Sequence, residues 1–317
     1  MTRRGSVLIL TVWVVSLLSI LAAGLGSRGV FALGVADRLE EYLRAYYTAA
    51  GGVPVALKLM RQDPTPKYDG LSESWYRMED WLNSLGPEIS VDVGPGLEDE
   101  ERKLNLNKSS VELLRNFLRA CGVKTNEAVE IADAILDWRD EDDRERDNGA
   151  EGTFYRGLEQ AYDCKDGPFE SVEELLLVKG ITPALWVRLA PYLTVYGSGR
   201  VNVNTASRPV LAALGLSPAG LNSLLAYRSG QDGKPGTADD FVFTSVDEVT
   251  LQLSSTTTPL STEDQNRLTR LQAEGLVGVG SEAFRLQIRA RVPYSKAEAD
   301  LDCVIDRSGQ ILAWSER

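Results

Sequence analysis

The densest chemistry in the chain lies between Asp137 and Glu151, in the run DWRDEDDRERDNGAE. Hard divalent cations take about six to eight oxygen ligands, and a short acidic stretch that bends at a glycine and ends in a glutamate can wrap one. Asp140, Asp142, Asn148 and Glu151 have that layout, with Asp137 opening the run, Gly149 allowing the bend, and Asp143 or Asp147 in reserve. The spacing from Asp142 to Glu151 and the place of Gly149 do not match an EF-hand loop. Charge runs are more often solvated faces, and Arg139, Arg144 and Arg146 partly neutralise this one, so spacing alone leaves calcium and a wet acidic face both open. A second stretch, DGKPGTADD from Asp232 to Asp240, offers Asp232, Asp239 and Asp240. A plain acidic turn explains it equally well.

Other chemistry is thin. The chain has no histidine, which removes imidazole-based triads and the commonest zinc ligand. It carries no GxxxxGK[ST], GxSxG or strand-borne GxGxxG motif. Paired carboxylates, the residue type of a glycosidase, are plentiful, yet nothing sets an acid of raised pKa opposite a base. Catalysis is not expected. Cys121, Cys164 and Cys303 are far apart and form no CxxC; in an oxidising compartment Cys121 and Cys164 can pair, leaving one thiol over. A net charge of -12 argues against a polyanionic partner, whose binding needs neutralising Lys and Arg.

The elements that would position the acidic run are helical and repeated. Leu104-Asn105-Leu106-Asn107 recurs as Val201-Asn202-Val203-Asn204, and Phe169-Glu170-Ser171-Val172-Glu173-Glu174-Leu175 recurs as Phe243-Thr244-Ser245-Val246-Asp247-Glu248-Val249. Two matched pairs in one order indicate a duplicated supersecondary unit. Within it Gly122-Val123-Lys124, Gly180-Ile181-Thr182 and Gly215-Leu216-Ser217 each sit between apolar helical stretches, the pattern of a helix-hairpin-helix. Such hairpins often grip DNA phosphates through backbone N–H groups. A membrane-anchored, competence-type DNA-binding protein is therefore the alternative reading, with acid-rich surroundings against it.

Strand-like alternation flanks this helical region. Ser74 to Met78 and Ile89 to Val93 precede it, separated by Gly86-Pro87 and followed by Gly94-Pro95-Gly96. Phe284 to Val292 alternates strictly behind it, followed by Ala299 to Ile305 and Gln310 to Trp314. The pattern predicts a sheet split in sequence, one face wet and one buried against a long helix.

That helix begins in Ser6–Gly26, an uncharged apolar run behind Arg3-Arg4-Gly5. At about 1.5 Å per residue the uncharged stretch spans a bilayer core of about 30 Å. The preceding arginines keep the N-terminus cytoplasmic and export the acidic remainder. A removable secretory signal cut near Leu21-Ala22-Ala23, a plain single-span anchor and a pilin-type N-terminus cut after Gly5 all fit such a segment; the five-residue leader and uninterrupted continuation favour the last. Phe31, Val35, Leu39, Leu43, Tyr46 and Tyr47 extend an apolar stripe, Gly51-Gly52 and Pro54 weaken it, and Pro64 and Pro66 end it.

Together the leader ending in Gly5, the helix, the split sheet, the repeated insert, the acidic run and the closing Trp314-Ser315-Glu316 resemble the minor pseudopilin K family of bacterial type II secretion systems. The resemblance implies an α+β fold: a pilin-like long N-terminal helix on a small antiparallel sheet, with a large all-α, duplicated helix-hairpin-helix (SAM-like) domain inserted in it. It divides the chain into a leader (1–5), the helix (6–62), the first part of the pseudopilin domain (63–104), the insert (105–280) and the second part (281–317). It also implies cleavage between Gly5 and Ser6 by a prepilin peptidase, methylation of the new amine, and residence in the inner membrane with the globular part in the periplasm. Partners would be I-like and J-like minor pseudopilins and the inner-membrane assembly platform, and nucleic acid would not be one. Most pilins and pseudopilins carry Glu where Leu10 stands; K-type members lack it, as a subunit at the filament tip would. The family's calcium site falls here on Asp137, Asp140, Asp142, Gly149-Ala150-Glu151 and Tyr155, with Asp143 and Asn148 as further oxygens.

Overall fold

The computed structural model describes residues 3–73, 75, 76, 78, 90–255, 259–293 and 295–316. Helix α1 runs from Arg3 to Arg61, 59 residues, straight through Pro54. It is long and apolar enough to cross a membrane, and its N-terminal apolar stretch is exposed. Packing starts only at Ala45, from where Ala45, Ala49, Val53, Ala56, Leu59 and Met60 recur at helical spacing and are buried. The stripe from Phe31 to Leu43 stays exposed, so the chain's own globular part covers only the last turns of the apolar face. Gly52 makes that contact close: a Cβ there would fall 2.1 Å from Ile288 Cδ1, so a side chain would force Ile288 to repack.

Strand β1 (Ser90–Asp99) leads through a 3-10 turn, Glu100–Arg102, into the insert. The first half of the insert holds β2 (Leu104–Asn105), α2 (Val111–Ala120), α3 (Thr125–Arg139), α4 (Gly152–Arg156), a 3-10 helix at Val172–Leu177, α5 (Pro183–Leu189) and β3 (Leu193–Thr194). The second half holds β4 (Val201–Asn202), α6 (Arg208–Ala213), α7 (Pro218–Arg228), α8 (Val246–Ser254), α9 (Thr262–Ala273) and β5 (Val277–Gly278). The chain then returns as β6 (Ala283–Arg291), β7 (Glu298–Asp306) and β8 (Ile311–Glu316). The main sheet has the order β1-β6-β7-β8 and is antiparallel throughout.

Alternation places Phe284, Leu286, Ile288 and Ala290 of β6 and Ala299, Leu301, Cys303 and Ile305 of β7 in one core with α1. Opposite charges pair across strands on the other face: Arg285 with Asp302 at 3.1 Å, Arg289 with Asp300 at 2.6 Å and Arg291 with Glu298 at 3.1 Å. The region before the insert contributes a single strand among the described residues. Trp75 and Tyr76 lie in a turn and Met78 is helical, not the strand expected over Ser74–Met78, and Ile89 lies outside the described residues. Gly94-Pro95-Gly96 does not end a strand either; it forms a register shift inside β1, between Val93 and Leu97.

The insert has its own core, and its two halves are built alike. In each half the first strand pairs in parallel with the last, β2 with β3 and β4 with β5. Each half is locked by the second Asn of its motif. Asn107 donates to Phe169 O at 2.8 Å and accepts from Phe169 N at 2.7 Å; Asn204 does the same with Phe243 at 2.9 Å both ways. The turn glycines Gly122, Gly180 and Gly215 have φ of +81°, +85° and +79°. Their turns pack on other parts of the fold, Gly180 against Ile131, and the Ser217 N–H after Gly215 donates to Asp264 Oδ1 at 2.7 Å.

Buried carboxylates fix the insert to the sheet where the chain leaves and re-enters. Asp99 accepts from Asn202 Nδ2 at 3.0 Å and from the Thr205 hydroxyl, Glu101 accepts from Ser198 N at 2.9 Å and Glu282 N at 3.1 Å, and Asp69 accepts from Ser281 N at 2.7 Å. Arg307 at the β7–β8 turn completes the join with ion pairs to Asp63 and Asp69.

Candidate metal centre

Helix α3 is amphipathic, with Ala128, Ile131, Ala132 and Ile135 in the core, and it carries Asp133 and Asp137 inward near its C-terminal end. The chain then loops out and doubles back to α4, whose N-cap position is Glu151. Asp137 organises this return. Fully buried, its carboxylate accepts from Ala150 N at 2.9 Å and Arg146 N at 3.2 Å, while Arg146 Nη1 lies 2.5 Å from its other oxygen. The same guanidinium nitrogen is 2.6 Å from Asp140 Oδ2. Gly149 is needed for proximity rather than for a bend, because a Cβ there would fall 1.8 Å from Asp137 Oδ2.

Glu151 is the unsatisfied member. It is only 4% exposed, and its carboxylate oxygens have no partner at full hydrogen-bond geometry, the weakly donating Cys164 thiol being the nearby group that eases its charge; Asp140 Oδ1 is buried and unpartnered as well. A buried carboxylate without donors costs several kcal/mol unless a cation or a proton neutralises it. Burial pushes Glu151 up to about 7, and the neighbouring charges of Asp137, Asp166 and Asp140 add to the shift. Asp137 is also raised by burial, against the opposing pull of Arg146. Cys164 Sγ and an Asp166 oxygen come within 4.8 Å of the Glu151 carboxylate and of each other. Asp166 reaches this place on a backbone with φ of +51°, a conformation that Asp tolerates better than most residues. The wall behind is aromatic: Trp138 and Tyr155 pack edge to face at 5.1 Å, and Tyr162 lies 5.4 Å from Tyr155.

The donor set suits a hard cation. Glu151 and Asp166 offer oxygens within reach of one another, and the charges of Asp137 and Asp140 stand near enough to act on Glu151, whereas burial pushes the Cys164 thiol up to about 12, so that it stays a neutral neighbour. Asp142, Asp143 and Asn148 stand on the exposed rim: Asp142 accepts from Arg144 N, and Asn148 donates to Asp133 at 3.2 Å. They are not brought together with Glu151 in this arrangement. Of the three arginines, Arg139 turns away to the Leu106 and Ser109 carbonyls, and Arg146 alone meets the site's carboxylates among the described contacts. Cys164 and Asp166 carry no spacing signal that ties them to the acidic run; only the fold brings them there. The expected Cys121–Cys164 bridge does not form, and all three cysteines are free. At the end of α2 the Cys121 backbone carbonyl accepts from Arg188, and the Cys164 thiol faces Glu151.

The second acidic loop follows α7 as the first follows α3, with a different result. Asp239 Oδ2 accepts from Gln231 N at 2.7 Å and Asp232 N at 3.1 Å, Asp232 Oδ1 from Lys234 N at 2.7 Å, and Asp240 Oδ2 from Gly236 N at 2.7 Å. These bonds hold Asp239 below the usual carboxylate range, the Thr237 hydroxyl contributing most. Backbone N–H groups do there what a cation would do. A third acidic group, Asp63, Asp69 and Glu73, is likewise supplied with donors by Arg307, Thr65 and Trp75.

A family model described as type II secretion system, protein K, matches residues 82–198, which include the whole first acidic site. Type II secretion system protein K of Pseudomonas aeruginosa is 30% identical over 258 residues, covering 75% of this chain and 76% of that protein. The chain belongs to the type II secretion system protein K family. Protein K of Aeromonas hydrophila is 28% identical over 246 residues, covering 69% and 73% of the two chains. Among solved structures, the GspK-GspI-GspJ complex from the enterotoxigenic Escherichia coli type 2 secretion system contains a chain of the same fold, with a TM-score of 0.67, 18% identity, and coverage of 89% of this chain and 99% of that one. Among the described residues one apolar helix is long enough to span a membrane, and a globular C-terminal part follows it.

Proposed function

We propose that this chain is a minor pseudopilin that sits at the tip of the pseudopilus, with α1 anchored in the bacterial inner membrane and the rest of the chain in the periplasm. The observation that carries the reading is the division of α1. From Ala45 onward one of its faces is buried on its own sheet, and from Val7 to Leu43 its large apolar side chains are exposed. Lipid covers the first part, and partner helices cover the Phe31–Leu43 stripe. The solved complex holds the neighbouring chains GspI and GspJ, which supports I-type and J-type minor pseudopilins as those partners. The insert, joined beyond the C-terminal end of α1, occupies the end away from the membrane, and Leu10 provides no carboxylate for a subunit above. Structural assembly, rather than catalysis, is the role.

Prepilin peptidase would cut between Gly5 and Ser6, and the inner-membrane platform would extrude the assembled tip. The mass of the mature chain after co-expression with a prepilin peptidase tests this. A chain that begins at a methylated Ser6 is expected; a start near Gly24, or an uncut Met1, overturns the reading.

Calcium belongs to the same proposal. Asp137, Asp140, Glu151 and Asp166 would hold Ca2+, which would join the end of α3 to α4 and the Cys164–Asp166 turn. The orphaned oxygens of Glu151 and Asp140 are its support. Ca2+ binding would neutralise an acidic loop that otherwise repels itself, and so couple to folding. The second loop, with its carboxylates already taken by backbone N–H groups, is a turn in this reading.

A further inference from the structure

We propose that Arg146 is a tethered competitor for the divalent cation, bridging Asp137 and Asp140 when the site holds no metal and leaving when the metal enters. The inference rests on the calcium reading above and adds a second state of the loop.

The geometry points to this exchange. One nitrogen, Arg146 Nη1, lies within 2.6 Å of both Asp137 Oδ1 and Asp140 Oδ2, so it takes a lone pair from each of two carboxylates that a cation would bridge. A divalent ion and a guanidinium cannot share those oxygens at such distances without like-charge repulsion. The contacts that hold the loop closed are separate from the guanidinium. Asp137 Oδ2 is held by the backbone N–H groups of Arg146 and Ala150, so the return toward α4 survives when the side chain departs. Arg146 has somewhere to go: its side chain is 39% exposed and its loop neighbours from Glu141 to Asn148 are all exposed. Meanwhile Glu151 remains unmatched in the arginine-bound arrangement, because the guanidinium does not reach it. The tethered cation thus satisfies Asp137 and half of Asp140, and a metal would satisfy Glu151 as well. That difference favours the metal, while the arginine keeps the acidic corner folded before the metal arrives.

Linkage makes the claim measurable, since whatever stabilises the metal-free state weakens metal binding by the same factor. The experiment is calorimetric Ca2+ titration of the full chain in detergent micelles after chelation, comparing wild type with Arg146→Gln and Arg144→Gln. The second variant removes the same charge from the same loop, at a residue whose side chain is exposed and away from the bridge. Arg146→Gln is expected to bind Ca2+ about tenfold more tightly, Arg144→Gln within about twofold of wild type, and Arg146→Lys in between. Chelated Arg146→Gln should melt below chelated wild type yet gain more on adding Ca2+. Unchanged or weaker binding by Arg146→Gln, or an equal gain in Arg144→Gln, overturns the competitor while leaving the calcium site standing. If neither wild type nor Arg146→Gln binds Ca2+, the calcium reading falls and the competitor falls with it. Were Arg146→Gln to fail to fold, Arg146→Lys decides alone: tighter binding than wild type supports the exchange, and equal or weaker binding sinks it.

Discussion

Two loops occupy equivalent places in the duplicated insert, each following the second helix of a glycine hairpin, and both are rich in aspartate. In the loop after α7, Asp232, Asp239 and Asp240 are satisfied by amides two to eight residues away, and burial is slight. In the loop after α3, Asp137 and Glu151 are buried, and the donors run out before the acceptors do. Acid density is the same signal in both. What separates them is the balance of donors against buried acceptors, which decides whether a carboxylate finishes a turn or waits for a cation.

The contrast breaks most visibly at the glycines. Gly149→Ala places a Cβ against Asp137 Oδ2 and should cost about 3 kcal/mol while abolishing calcium stabilisation; Gly233→Ala meets open space and pays only for its positive φ, about 1 kcal/mol. Thermal melts of both variants with and without Ca2+ check this. Equal losses would mean that the first loop is an ordinary turn.

Calcium itself gives the next largest effect. Wild type should gain about 2.7 kcal/mol at a Ca2+ concentration a hundred times its Kd. Glu151→Gln should lose most of that gain, yet be at least as stable as wild type under chelation, because the amide removes a buried charge that nothing pairs. Asp239→Asn should show the reverse, weakened under chelation through its lost amide contacts and unaltered in its response to Ca2+. A calcium response that survives in Glu151→Gln and disappears in Asp239→Asn would transfer the site to the second loop.

If the loops differ only locally, the scaffolds beneath them must be equivalent. Asn107→Ala and Asn204→Ala each break the paired contacts to a Phe backbone, and should cost about 1 and about 2 kcal/mol. The larger figure belongs to Asn204, which is buried and also donates to Val279 O at 3.1 Å. Denaturant melts yield both values. A negligible loss at either position would mean that the duplication in sequence is not a duplication of the lock.

Much of this scaffold was legible from residue order. Matched Asn and Phe motifs announced the duplication, strict alternation from Phe284 announced β6, and separated strand signals announced a split sheet, because each depends on short-range periodicity. The α1 face was only half legible: spacing marks Phe31 and Ala49 alike as apolar, and only tertiary packing decides which one is covered. The carboxylate corner was least legible. Asp137, Asp140 and Glu151 came from local density, but Asp166 and Cys164 arrive from beyond α4 by the path of the chain, and Asp142 and Asp143 were indistinguishable from Asp137 until burial separated them. Gly149 was found for the wrong reason, since its role is closeness to Asp137 and not a bend.

The smallest effect is also the cleanest test of the difference in donors. A carboxyl held above its ordinary range prefers its proton in the folded state, so its contribution is complete below the ordinary glutamate range and is lost as pH rises through the folded value. For Glu151 that window ends near 7. Asp239, held below the usual range, contributes in the opposite sense, with stability that is present above that range and lost as pH falls. Buried carboxylates at the join, Asp69 at about 6 and Glu101 at about 7, slope the same way as Glu151. They are untouched by Glu151→Gln and cancel in the difference between variant and wild type. Under chelation that difference should widen in favour of Glu151→Gln between pH 5 and pH 8, and calcium should reverse it, because the metal binds the ionised form that alkaline pH supplies. A difference curve flat with pH would mean that water already reaches Glu151, and the two loops would then be the same kind of turn.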